Sequence, residues 1–194
     1  MEFIIHRINT LEKLKNIPNE FGCEVDIRTD GDKLILNHDP YEKGESFIDY
    51  LDEYQHGTLV LNIKETGIED QVLNEVRKRE IKNYFLLDVE FPYLYEATSR
   101  GEKEIAIRFS EFEPIENVML FNDKLNWIWV DTINQLPLSH RNLEIIRSLK
   151  SCLVCPSRWG RSDEIKKIKR KLNSFKFEFD FVMTDLENIN QWLD

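Results

Sequence analysis

The sequence predicts an α/β fold: a compact (β/α)8 barrel of the TIM type, small or incomplete in its ring of helices. Three observations predict it. Short apolar runs of strand length alternate with amphipathic stretches of helical period along the chain. The runs number eight. Each is closed by polar or charged residues, and in a barrel of parallel strands such residues line one mouth. In an open, doubly wound sheet, the structural alternative, they would be strung along an edge. With 194 residues the chain is short against the roughly 250 of a typical barrel, and it is read as a single domain over residues 1–194.

Phe3–His6 reads as the first strand and ends in His6-Arg7, with a helix over Thr10–Ile17. Gly22–Ile27 is the second strand and carries Glu24 and Asp26. "TDGD" is a turn signal, so Leu34–Leu36 is read as a hairpin arm outside the main repeat. Helix Phe47–Tyr54 leads to strand Thr58–Ile63, which ends in Lys64-Glu65. Helix Asp70–Arg79 leads to strand Tyr84–Leu87, which ends in Asp88, and helix Phe91–Ser99 follows. Strand Glu104–Arg108 precedes "SEFEPIENVMLFND" at Ser110–Asp123, where only a stub of a fifth helix fits. Strand Trp127–Val130 ends in Asp131, and helix Ser139–Ser148 leads to strand Cys152–Cys155, closed by Ser157-Arg158. Asp163–Phe175 is the best-marked helix. Ser162 is placed to cap it, Asp163 and Glu164 suit the positive end of its dipole, and Lys169, Arg170 and Lys171 suit the other end. Phe181–Met183 is the last strand, closed by Thr184-Asp185.

Composition excludes several classes. Hydrophobic residues make up 41% and aromatic ones 11%, too many for a generally disordered chain. No apolar run approaches the roughly 20 residues of a membrane-spanning helix. "MEFIIHR" reads as a strand and not as a signal peptide, so a cytoplasmic location is expected. Three cysteines, an odd number, give no disulfide framework. Cys152 and Cys155 lie three apart on a strand, face opposite ways, and are read as buried thiols. A net charge of −10 repels phosphate backbones, so no nucleic-acid partner is expected. The basic run at 166–171 is read as the wet face of its helix, Trp127 and Trp129 as packing residues, and His56 and His140 as surface positions.

Chemistry is concentrated in "GCEVDIRTDGDKLILNHDP" at Gly22–Pro40. Glu24 and Asp26 are two apart on a strand and therefore point the same way. Two buried carboxylates repel each other, and a cation resolves the repulsion. Carboxylate oxygens suit Mg²⁺ or Ca²⁺, which polarise a phosphoryl oxygen. A histidine near its ordinary pKa of about 6.5 takes or gives a proton at neutral pH. Arginine offers a planar fork matched to phosphate. Loops after the seventh and eighth strands of barrels often bind phosphate, which makes Arg158, or its neighbour Arg161, in "PSRWGR" a further phosphate-binding candidate.

"HRINTLEKL", "EVD", "NHDP" and "LNIK", in that order over Phe3–Lys64, resemble the motif series of glycerophosphodiester phosphodiesterases. The closing "FVMTDLEN" is similar to the family's last strand. "YFLLDVEFP", "IWVD" and "CLVCPSRWGR" look closer to a short, divergent bacterial subgroup. The resemblance implies a metal-dependent phosphodiester hydrolase acting on a glycerophosphodiester-like or sugar-linked phosphodiester. It makes His6 and His38 the general acid and base, Glu24 and Asp26 ligands of the cation, Arg7 the phosphate-binding arginine and Lys64 the strand lysine. Ile8 stands where the family has glycine. Asn62 stands where it has a third, carboxylate ligand; its carbonyl can coordinate without charge, and Asp88 is a candidate replacement for the lost carboxylate. Two other readings stay open: a barrel that binds a phosphorylated sugar or glycerol compound without hydrolysing it, and an unrelated barrel enzyme using Lys64 or Glu65.

Overall fold

The computed structural model describes residues 1–193 and shows a mixed α/β fold that divides into two compact units, Ile4–Ala97 and Met1–Phe3 with Thr98–Asp194. β1 (Glu2–Ile5) straddles the boundary between the units, and in the first of them α1 (Leu11–Lys15), β2 (Gly22–Asp30), β3 (Lys33–Leu36), β4 (Glu45–Ser46) and α2 (Phe47–Glu53) follow in order. β5 (Leu59–Ile63), α3 (Glu69–Lys78), β6 (Tyr84–Leu87) and α4 (Phe91–Ser99) complete it. β1, β2, β5 and β6 are parallel neighbours, with Ile5 beside Cys23, Asp26 beside Asn62 and Leu61 beside Leu86. β3 and β4 add antiparallel to β2, with Asp30 paired to Lys33 around Gly31, whose φ of 64° suits the tight turn. That hairpin is the one "TDGD" predicts, and it lengthens β2 by three residues beyond the expected strand.

Sequence explains the local boundaries. The Thr10 side chain accepts a hydrogen bond from the Lys13 amide and caps α1, which stops at Asn16 ahead of Pro18 and is shorter than the predicted helix. Ser46 caps α2 through the Asp49 amide. Gly22 has no room for a side chain, because a Cβ would run into the Thr58 carbonyl. The parallel strands bury both faces, as their near-continuous apolar runs require: Val25, Ile27, Leu59, Leu61, Phe85 and Leu86 are all fully buried.

In the second unit, β7 (Ala106–Phe109), α5 (Ile115–Phe121), β8 (Trp127–Val130), α6 (His140–Arg147) and β9 (Lys150–Val154) are followed by α7 (Ile165–Phe175), β10 (Phe181–Thr184) and α8 (Ile189–Leu193). β7 to β10 pair in sequence order and in parallel, and the Glu2 amide donates to the Asp180 carbonyl beside β10. α5 is the expected stub. Ser162 does not cap α7: a single 3-10 turn at Ser162–Glu164 precedes it, and Glu164 is the cap residue, with no side-chain capping bond. α7 buries Ile165, Ile168 and Leu172 while Lys166, Lys167, Arg170 and Lys171 face solvent. Cys152, Cys155, Trp127 and Trp129 are buried. Among the described residues no helix is long and apolar enough to cross a membrane.

Candidate active site

Within Ile4–Ala97, the carboxyl ends of β1, β2, β5 and β6 bring most of the predicted site residues together. Glu24 and Asp26 on β2 are almost wholly buried, and Asn62 lies beside Asp26 on β5. The Asn62 Nδ2 donates to Glu24 Oε1 at 2.7 Å and to Asp26 Oδ1 at 3.4 Å. Its carbonyl Oδ1 is buried with no hydrogen-bond partner. The Arg7 amide donates to Glu24 Oε2 at 2.8 Å, and the Arg7 Nε lies 3.8 Å from Asp26 Oδ2. Burial, followed by repulsion from Asp26, pushes the Glu24 carboxyl above its ordinary range against the opposing pull of His6, Asn62 and the Arg7 amide. His6 thus acts electrostatically on Glu24 from the end of β1.

Two further residues support the site, Asn9 at the carboxylate pair and Arg28 at the loops beside it. Asn9 pairs with Asp26 twice: its Nδ2 donates to Asp26 Oδ2 at 2.8 Å, and its Oδ1 accepts from the Asp26 amide at 2.9 Å. Arg28 reaches sideways from β2, donating from Nε to the His38 carbonyl at 3.1 Å and from Nη1 to the Lys64 carbonyl at 2.9 Å. Asn9 falls within "HRINTLEKL", but neither pairing has a local sequence signal.

His38 sits in the turn after β3, with its side chain 40% exposed. Its Nδ1 is 2.7 Å from Asp39 Oδ1, which orients the ring and leaves Nε2 for proton exchange. The hydrogen bond from His38 holds the Asp39 carboxyl below its usual range. Lys64 Nζ lies 3.4 Å from both Asp26 Oδ1 and Asp88 Oδ2, so Asp88 joins the centre through Lys64. Arg7 and Asp88 both hold left-handed backbone, at φ 53° and 60°. Such positions are uncommon outside glycine and cluster at functional sites.

The donor set fits one hard divalent cation in composition: two carboxylates and an amide oxygen lacking a partner. Among the described residues, no group of three or more His, Cys, Asp or Glu side chains is gathered for a metal ion. Glu65, expected to face away, does so: its carboxylate accepts from the Thr29 amide at 3.0 Å and the Thr29 hydroxyl at 2.7 Å. Arg158 belongs to the second unit, exposed, with its guanidinium 5.5 Å over the Trp159 ring.

By sequence, neither a family model nor a curated protein matches the chain. By structure, it has the fold of two enzymes. One is a glycerophosphoryl diester phosphodiesterase from Parabacteroides distasonis (TM-score 0.64, 12% identity, covering 98% of this chain and 86% of that one). The other is a glycerophosphodiester phosphodiesterase from Agrobacterium tumefaciens (TM-score 0.65, 11% identity, covering 94% and 96%). These likenesses show the fold that the resemblance read in Phe3–Lys64 implies.

Proposed function

We propose that the chain is a divergent member of the glycerophosphodiester phosphodiesterase family, a (β/α)8-type barrel that hydrolyses a small phosphodiester. One observation carries the reading: Glu24, Asp26 and Asn62 meet beside His6 and Arg7 at the ends of adjacent parallel strands. Glu24, Asp26 and the Asn62 carbonyl would hold Mg²⁺ or Ca²⁺, with Asp88 near through Lys64. When bound, the cation supplies Lewis-acid polarisation of a phosphoryl oxygen.

The chain's own groups do the rest. One of His6 and His38 accepts the proton of an attacking hydroxyl as its oxygen bonds to phosphorus, and the other protonates the departing alcohol as its P–O bond breaks. Where the hydroxyl is the substrate's own, water then opens the cyclic phosphate with the two proton transfers reversed. Asp39 holds the His38 ring, and Arg7 and Lys64 offset the charge gathering on the phosphoryl oxygens. The proposed centre uses residues of Ile4–Ala97 alone.

The test is hydrolysis of glycerophosphodiesters and bis(p-nitrophenyl) phosphate with Mg²⁺, Ca²⁺ or Mn²⁺ supplied. His6→Ala and His38→Ala should each lower turnover by roughly a hundredfold or more, with cation affinity nearly unchanged. Turnover that survives both changes overturns the mechanism. A second reading, phosphate binding without hydrolysis, is favoured by the internal satisfaction of both carboxylates by Asn62, Asn9 and Arg7. It predicts stabilisation by glycerol or sugar phosphates with no turnover.

A further inference from the structure

We propose that Asn62 is a two-position ligand: its amide N–H group clasps the carboxylate pair in the cation-free protein, and cation binding requires the amide to turn over. The inference rests on the proposed cation centre and adds what this chain's asparagine does there.

The orientation of the amide follows from the acceptors around it. Ionised carboxylates only accept hydrogen bonds. Glu24 Oε1 lies 2.7 Å from the Asn62 terminal atom facing it, and Asp26 Oδ1 lies 3.4 Å from the same atom. With both carboxylates ionised, an oxygen there would face two negatively charged oxygens with no proton between them, so the nitrogen occupies that place. The remaining amide atom, Oδ1, is buried and unpartnered. A buried amide normally satisfies both ends. This one satisfies its donor end and leaves its best metal-ligating atom without a partner.

A half-turn of the terminal torsion exchanges the two atoms. It would set the carbonyl oxygen between Glu24 and Asp26 and convert a satisfied hydrogen-bonded clasp into an all-oxygen cradle that is stable only around a cation. Lys64 fits the same exchange. Its ammonium lies 3.4 Å from Asp26 Oδ1 and 3.4 Å from Asp88 Oδ2, so it keeps a carboxylate partner if a cation displaces it from Asp26. A carboxylate at position 62 could not make the clasp, because it has no donor. The cation-free state of this chain is therefore stabilised by Asn62, and cation binding competes with that stabilisation. Low affinity follows from the competition as well as from the missing charge.

The experiment is calorimetric titration of the chelator-stripped protein and of Asn62→Asp with Mg²⁺ and Ca²⁺, with nitrogen-15 NMR of the Asn62 side-chain amide, assigned by its loss in the variant. The wild type should bind one cation weakly, and its Asn62 NH₂ signals should shift in step with occupancy. Asn62→Asp should bind roughly tenfold tighter or better, about 1.4 kcal/mol or more, and should gain more thermal stability from the cation than the wild type does. The wild-type NMR titration stands alone if the variant folds only with cation present. Binding that leaves the Asn62 signals unmoved, or that is no tighter in a folded Asn62→Asp, overturns the proposal. Absence of cation binding by both proteins at millimolar concentration overturns it too. The hydrolase reading is then judged separately, by whether histidine-dependent turnover occurs in chelator.

Discussion

Glu24 carries the largest conflict in the site. It is buried with a second carboxylate beside it, and these two causes raise its pKa against the donors that favour the charged form. An acid whose folded-state pKa lies above its ordinary 4.5 contributes stability that is present below that value and lost as pH rises through the folded value. Once ionised, the carboxylate is therefore a burden on the cation-free fold. Glu24→Gln removes the charge, and its amide can donate to Asn62 Oδ1 once that side chain turns. In chelator, the variant should melt a few degrees above the wild type near pH 7, since about 1 kcal/mol moves a chain of this size by roughly 2–4 °C. The gap should narrow as pH falls toward the ordinary carboxyl range. A less stable variant near pH 7 would mean that the bonds from Arg7 and Asn62 outweigh the burial cost. That Glu24 and Asp26 share one face of a strand, that His38 follows a hairpin and that Lys64 ends the next parallel strand was legible in the sequence, because strand period and turn chemistry act locally. Asn9 and Arg28 were not, because their partners lie 17, 10 and 36 positions away and nothing in the spacing announces them.

At the level of elements, β2 does two jobs. Its first half lies in the parallel ladder and carries the carboxylates, and its second half leaves that ladder to pair with β3. Arg28 sits where the two halves meet and ties the His38 turn to the end of β5. It touches neither carboxylate and is a positioning residue. Arg28→Ala should lower kcat by roughly tenfold to a hundredfold with little change in KM, since small displacements of a catalytic group are costly. The His38 ring signals should broaden or shift while those of His56 and His140 stay put. A fall in Tm with kcat intact would make Arg28 merely structural. The hairpin itself was readable from "TDGD", and the strands from their apolar runs. Boundaries moved where tertiary or capping effects decide them: Thr10 and Pro18 shorten α1, and the turn at Ser162–Glu164 takes the place of a capped start to α7. A fold kept at 11–12% identity to two solved enzymes fits this division, because alternating burial constrains hydrophobicity far more than identity.

For the whole molecule, the thiols provide a readout of how the two compact units unfold. Cys23 belongs to Ile4–Ala97, and Cys152 and Cys155 to the other unit; all three are free and completely buried. Burial pushes the Cys23 thiol up to about 12 and raises Cys152 as well, so neither is a reactive thiolate at neutral pH. A thiol reagent should leave the native protein unlabelled and modify all three cysteines in denaturant. The four residues of β1 contribute to backbone ladders in both units, through Glu2 to Asp180 in one and through Ile4 and Ile5 to Gly22 and Cys23 in the other. The boundary between the units falls inside this strand, between Phe3 and Ile4, so neither unit holds the whole of it. Labelling followed by peptide mass spectrometry across a urea series should therefore give one midpoint for Cys23 and for the Cys152–Cys155 pair. Two midpoints would show that the units open independently. An early Cys23 would further mean that Ile4–Ala97, with its buried carboxylate pair, is the less stable unit, and added cation should then raise the Cys23 midpoint and leave the other where it was.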